Sequence, residues 1–275
     1  MLLTACASNA DTDNDHAPFK VTVTEQQQYS PADWPQSLYA DIYRPHTTQA
    51  RPGVLMVHGG GWEGRSRQDM HSIASQLAED GFVVVNIDHR FAPRHRFPAQ
   101  LHDVQRAMHW LRANETEFGI DPERVYAFGF SSGAHLVSMM ALVAGQGGEL
   151  DSPHGGIETR PGAVVAGGVP SDLTKFNDGR RLLQLMGDKQ SRMAEEYRQA
   201  SPVTHIHSEA PPFFFFHGTV DRLVPFDHSE DFHLALGNAG LESELYRVRF
   251  RGHLLSFLFS GGATEAASEF LQRQP

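Results

Sequence analysis

Six short apolar runs, each closing on small or polar residues, constrain this chain more than any other feature. They are "GVLMVHGGGW", "GFVVVNIDHR", "RVYAFGFSSG", "GAVVAGGVPSD", "PFFFFHGTVD" and "ELYRVRFRGH". Runs that are apolar at successive rather than alternate positions suit strands covered on both faces, the condition of a parallel sheet. Helical patterns lie between them. "RQDMHSIASQLAEDG" sets Met70, Ile73 and Leu77 on one face and stops at Gly81. "PAQLHDVQRAMHWLRANETEFG" does the same with Leu101, Val104, Met108 and Leu111. Two earlier segments, "FKVTVTEQQQYS" and "SLYADIYRP", read as an antiparallel start to the sheet. The expected fold class is therefore α/β, with a mostly parallel eight-stranded sheet and helices on both faces. In such sheets ligands bind beyond the carboxyl ends of the strands. His58, Ser131, Asp221 and His253 all fall there.

A chain of 275 residues without internal repeats suits one α/β domain, expected over 18–275 behind a tail at 1–17. Residues 171–207 separate two strands and exceed what one crossover requires. One or two helices arching over the strand ends as a partial lid are expected there. The net charge of -10, from 23 basic and 33 acidic residues, leaves no basic excess to neutralise phosphates and argues against a nucleic-acid partner.

The single cysteine, Cys6, forms no intramolecular disulfide. Leu-Thr-Ala-Cys at 3–6 resembles the bacterial lipobox, in which cleavage leaves a cysteine that is then lipidated, and a polar tether follows from Ala7 to Asp15. The usual basic and apolar leader segments are missing before Leu2. On the lipobox reading the protein is extracytoplasmic, and its membrane contact runs only through the lipid on Cys6. The alternative is a disordered tail on a cytoplasmic protein. No apolar run approaches the ~18 residues of a membrane span.

Gly129-Phe130-Ser131-Ser132-Gly133 fits G-x-S-x-G between a strand pattern, "RVYAF", and a helix pattern, "AHLVSMMALVA". That context describes a sharp strand-to-helix turn that exposes the middle hydroxyl, Ser131. Ser132 follows at the helix start, where its N–H lacks an intrahelical acceptor and can face developing negative charge. A serine hydroxyl needs a base to take its proton. His253, in "FRGHLL", is the candidate base, and Asp221, in "HGTVDRLVP", is the candidate acid; both lie at strand ends in the order Ser, Asp, His. His217 reads as structural, and Asp227 and Asp231 as helix residues pointing away. "VHGGGW" at 57–62 lets a backbone approach a ligand closely, so Gly60 and Gly61 are expected to aim N–H groups at an oxyanion beside Ser132. Trp62, Leu223 and Val224 are candidates for walls of the substrate pocket or for packing. The remaining histidines form no metal-like set, and no metal or other cofactor is expected.

"HGGGW", "DHRFAPRHRFPAQLHDVQRAMHWLRAN", "DPERVYAFGFSSGAHL", "SPVTHI" and "HGTVDRLVPFDHSEDFHLALGNAG" together resemble the α/β-hydrolase superfamily. The likeness is to bacterial esterases related to hormone-sensitive lipase, in their cap-poor acetyl- and feruloyl-esterase-like branch, and covers roughly residues 35–258. The resemblance implies an α/β-hydrolase fold, a Ser131–His253–Asp221 triad and an oxyanion hole of Gly60, Gly61 and Ser132. It departs from the lipases in its short N-terminal part and in reading "GFSSGA" where they read "GDSAGG". The implied activity is hydrolysis of short-chain or aryl carboxylic esters, with acetyl or feruloyl esters of plant polysaccharides as small-molecule or oligosaccharide substrates. An aryl formamidase or other amidase using the same triad, and a catalytically silent binding module, stay open.

Overall fold

The computed structural model describes residues 17–176 and 179–275. Cys6 and the tail expected at its head lie outside the described residues. Among the described residues eight strands form one sheet: β1 (Val21–Gln28), β2 (Tyr39–Pro45), β3 (Arg51–Val57), β4 (Val83–Ile87), β5 (Ile120–Phe130), β6 (Val164–Gly167), β7 (Phe213–Gly218) and β8 (Ser243–Val248). Their order is β1-β2-β4-β3-β5-β6-β7-β8. β1 and β2 are antiparallel to each other, and β2 is antiparallel to β4. Every pairing from β4 through β3, β5, β6 and β7 to β8 is parallel.

The all-apolar runs explain this arrangement. Successive residues of a strand face opposite sides, so a strand buried on both faces must be apolar throughout. Leu55, Val57, Val85, Ala127, Val164, Phe213 and Phe215 enter one core layer. Val54, Met56, Val84, Phe128, Val165, Phe214 and Phe216 enter the other. The first layer packs against α2 (Ala99–Ala113), α4 (Ser132–Val143) and α7 (Asp227–Asn238). The second packs against α1 (His71–Glu79) and α9 (Gly261–Arg273). Met70, Ile73 and Leu77 are buried, and the chain leaves α1 at Gly81 with φ +97°. The second long helical pattern breaks at Asn114 into α2 and the short α3 (Glu115–Phe118). β8 differs from the central strands: it is an edge strand, only partly covered.

The described residues between 171 and 207 form two short helices, α5 (Arg180–Met186) and α6 (Ala194–Gln199), flanked by 3-10 turns at Leu173–Lys175 and Pro202–His205. α5 lies on the loops that follow β3 and β4. Arg180 and Arg181 both reach Glu63, at 3.0 and 3.1 Å, and Phe97 N–H donates to the Leu185 carbonyl at 3.0 Å. The helix α8 (His253–Leu258) follows β8 after a short loop at 249–252.

Candidate active site

β5 ends at Phe130 and α4 begins at Ser132, so Ser131 alone makes the turn. It does so at φ +55° and ψ -121°, a conformation costly to a residue with a Cβ. Two glycines make the turn sterically feasible. A Cβ on Gly133 would come within 2.5 Å of the His58 carbonyl oxygen, and one on Gly129 would come within 2.5 Å of the Gly133 carbonyl carbon. Hydrogen bonds hold the turn from both sides. Ser131 N–H donates to the Gly167 carbonyl at 2.7 Å, and the Ser131 carbonyl accepts from His135 N–H at 3.0 Å.

Three side chains separated by up to 122 residues converge on this turn. His253 Nε2 lies 2.8 Å from Ser131 Oγ, and His253 Nδ1 lies 2.6 Å from Asp221 Oδ2. The other carboxylate oxygen, Oδ1, accepts N–H bonds from Leu223 at 2.8 Å and Val224 at 3.0 Å. The loop after β7 thus wraps its own backbone around Asp221 and fixes the carboxylate independently of its contact with His253. The imidazole rests on Phe130, with ring centroids 5.0 Å apart. Burial alone would raise the Asp221 carboxyl. Hydrogen bonds from His217 and His253 overcome that and hold it well below the usual carboxylate range. An anion fixed on Nδ1 keeps that nitrogen protonated and leaves Nε2 to accept a proton from the serine.

The glycine loop after β3 faces the same turn. A Cβ on Gly59 would lie 3.2 Å from the Ser131 Cβ, so the loop passes directly beside the hydroxyl. Gly60 and Gly61 follow with φ +127° and +65°. Neither N–H is taken by an acceptor among the described residues, and Ser132 supplies a third free N–H at the start of α4.

Known proteins resemble this chain in sequence and in fold. A family model described as BD-FAE matches residues 40–236, well over half of the chain. The chain belongs to the BD-FAE family. Among curated relatives of this BD-FAE chain is the probable carboxylic ester hydrolase LipM of Mycobacterium tuberculosis, 34% identical over 83% of this chain and 56% of LipM. Esterase LipQ of the same organism is 32% identical over 84% of this chain and 58% of LipQ. The BD-FAE chain therefore spans a little over half the length of these relatives. Among solved structures, a thermophilic esterase from Thermogutta terrifontis, Est2, superposes with TM-score 0.74 at 26% identity, covering 92% of this chain and 91% of that one. A truncated carbohydrate esterase from gut microbiota superposes with TM-score 0.83 over 94% of this chain and 99% of that one; at 24% identity it speaks for the fold alone. The fold is that of the α/β-hydrolases.

The proposed pocket residues fare unequally in the BD-FAE chain. Trp62 is buried, and its indole N–H donates to His135 Nδ1 at 3.3 Å, so it packs behind the glycine loop and has little surface to offer a substrate. Val224 is buried too; its N–H binds Asp221 and its carbonyl lies 2.9 Å from His217 Nε2. Leu223 is half exposed. Asp227 and Asp231 pair with Lys175, away from the serine.

Two buried histidines were not legible as part of the site. His217 Nε2 lies 3.2 Å from Asp221 Oδ2. His135, on α4, takes the Trp62 indole N–H on one ring nitrogen and lies 2.7 Å from the Ala200 carbonyl on the other, tying the glycine loop to the 171–207 segment. Burial holds it down to about 4, so it stays neutral in this role. No local pattern names a partner 65 residues away.

Proposed function

We propose that this protein is a serine carboxylesterase that hydrolyses short-chain or aryl carboxylic esters through an acyl-enzyme. The observation that carries the proposal is the continuous relay from Ser131 Oγ through His253 to Asp221, at 2.8 and 2.6 Å, launched from a serine held at positive φ. Ester hydrolases among the relatives support the choice of substrate class.

In this mechanism Ser131 Oγ attacks the ester carbonyl while His253 Nε2 takes its proton. Negative charge grows on the carbonyl oxygen, where the N–H groups of Gly60, Gly61 and Ser132 face it. One such donor is worth roughly 3 kcal/mol of transition-state stabilisation. His253 then hands the proton to the departing alcohol, and Asp221 stabilises the imidazolium throughout. A water deprotonated by His253 attacks the acyl-enzyme, releases the acid and restores Ser131. None of these steps calls for a metal or an organic cofactor. Acetyl or feruloyl esters of plant oligosaccharides are the substrates proposed, and lipidation of Cys6 would place the enzyme outside the cytoplasm.

A p-nitrophenyl ester series of increasing acyl length, run beside aryl and acetylated-sugar esters and an aryl formamide, tests the proposal. Hydrolysis should peak at short acyl chains or aryl acids, with the formamide much slower. A preference for the formamide would move the protein to the amidases.

A further inference from the structure

Ten large apolar side chains are exposed among the described residues, and six of them cluster around His253: Val220, Phe250, Leu254, Leu255, Leu258 and Phe259. Two hydrogen bonds, one between backbones and one to a side-chain hydroxyl, join their two segments. Val220 N–H donates to the Arg251 carbonyl at 3.2 Å, and Phe250 N–H donates to Thr219 Oγ1 at 2.9 Å. The polarity of α8 is inverted for a surface helix. Its inner side holds the buried Ser256 and the partly buried Phe257, whose ring centroid lies 4.7 Å from that of Phe130, while Leu254, Leu255 and Leu258 face outward. Phe250 is 84% exposed and Phe259 63%. Contiguous apolar exposure of this kind marks an interaction surface rather than ordinary scatter.

Charge indicates what covers it. The stretch "LYRVRFRGHLLSFLFSGGA" at 245–263 holds three arginines and no carboxylate, in a chain with 33 acidic residues. Arg247 pairs with Glu230 at 3.2 Å. Arg249 and Arg251 are exposed and have no carboxylate within ion-pair distance among the described residues, and Arg251 lies over the Phe259 ring at 5.4 Å. The patch thus interleaves exposed apolar side chains with two arginines that have no carboxylate partner among the described residues, on a protein of net charge -10. A second copy is a poor match. A two-fold interface sets a patch against itself, and this patch offers no acid to answer its own arginines. The remote acidic charge is screened beyond a Debye length of about 8 Å at physiological salt. Apolar side chains that enter the headgroup boundary beside arginines that meet anionic headgroups form an interfacial surface.

We propose that α8 and the loops around it dock this protein on an anionic lipid bilayer. Docking turns the Ser131–His253 face toward the interface. Only the consequence for lipid-dissolved esters rests on the esterase reading; docking itself does not.

The test uses the unlipidated full chain carrying Ser131→Ala, so that no turnover intervenes. It is floated with vesicles of phosphatidylcholine alone or with about one third phosphatidylglycerol. Binding to the anionic vesicles is expected, weaker on neutral ones and falling with salt. Arg249→Glu with Arg251→Glu should reduce it at least about tenfold, and Leu258→Glu with Phe259→Glu should do likewise. The same pairs placed in the unsubstituted enzyme should keep its hydrolysis of soluble p-nitrophenyl acetate. Three results would overturn the proposal: no binding to anionic vesicles, binding indifferent to both double variants, or self-association abolished by the same substitutions without vesicle binding. An active enzyme that fails to bind vesicles leaves the esterase reading standing, and a protein that binds vesicles but hydrolyses nothing does the reverse.

Discussion

His217 Nε2 lies 3.2 Å from the Asp221 carboxylate oxygen that also faces His253 Nδ1 at 2.6 Å. The two imidazoles therefore share one oxygen, one from β7 and one from the head of α8. His217 is fully buried and held from behind by Ser229 Oγ at 2.7 Å. On the proposed mechanism, this contact makes His217 a positioning residue for the acid, not a reacting group.

The first prediction follows. His217→Asn should lower kcat about tenfold with KM within about twofold, since a hydrogen bond to a charged group is worth roughly 1.5–3 kcal/mol and part of it survives through Leu223 and Val224. The sign of the pH effect is fixed by the depressed Asp221 group. Its contribution to stability is present above the unfolded carboxylate value of about 4 and is lost as pH falls toward the folded value. Acid unfolding followed by circular dichroism should begin at higher pH in the variant. A purely structural His217 would lower the melting temperature without splitting kcat from KM.

The two adjacent serines should separate cleanly. Ser131→Ala should cost about 10⁴-fold or more in kcat. On the proposed mechanism Ser132 contributes only a backbone N–H, and its buried hydroxyl has no hydrogen-bond partner among the described residues. Ser132→Ala therefore removes an unsatisfied group. It should keep kcat within about threefold and change stability by less than about 1 kcal/mol in either direction. Steady-state kinetics on p-nitrophenyl acetate and a thermal melt measure both; parallel losses in the two variants would contradict the assignment.

Gly133→Ala tests the turn itself. The added methyl would meet the carbonyl oxygen of His58 at 2.5 Å, and backbone rather than a flexible side chain would have to move. Displacing the His58 carbonyl also shifts the glycine loop. A stability loss of about 1–3 kcal/mol or more is expected, with a larger fall in kcat than in substrate affinity.

Buried histidines set the acid limit of stability. Burial, aided by neighbouring His89, pushes His58 down to about 3, and burial likewise holds His135 and His228 near 4. Each stays neutral in the fold and charges in the unfolded chain below about 6.5. Stability from these groups is therefore full above pH 6.5 and declines as pH falls toward 4. The slope per histidine is about 1.4 kcal/mol per pH unit once the unfolded form is charged. Urea midpoints should drop steeply between pH 6 and pH 4 (both about), and His135→Gln should flatten that slope while weakening the protein at neutral pH.

The sheet was legible because both-face burial leaves a mark on every residue of a strand, as in Phe213 to Phe216, which alternate between the two core layers. The serine turn was legible because its steric demand selects glycines at fixed offsets. Partnerships across long separations leave no such mark. Nothing local announces that Glu63 meets Arg180 and Arg181, or that Trp62 turns inward to His135 instead of facing a pocket. β8 was read with the covered strands because "ELYRVRF" resembles them, yet it closes the sheet as a partly exposed edge. That His253 opens a helix whose leucines face outward required the fold around Phe130.

The central claim is that Ser131 is the nucleophile, and covalent trapping tests it most directly. The protein is reacted with a fluorophosphonate, digested and mapped by mass spectrometry. The account predicts one adduct per chain, on Ser131, formed far more slowly in His253→Ala. An adduct on Ser132 or elsewhere, or an esterase that hydrolyses p-nitrophenyl acetate yet leaves Ser131 unlabelled, would contradict it.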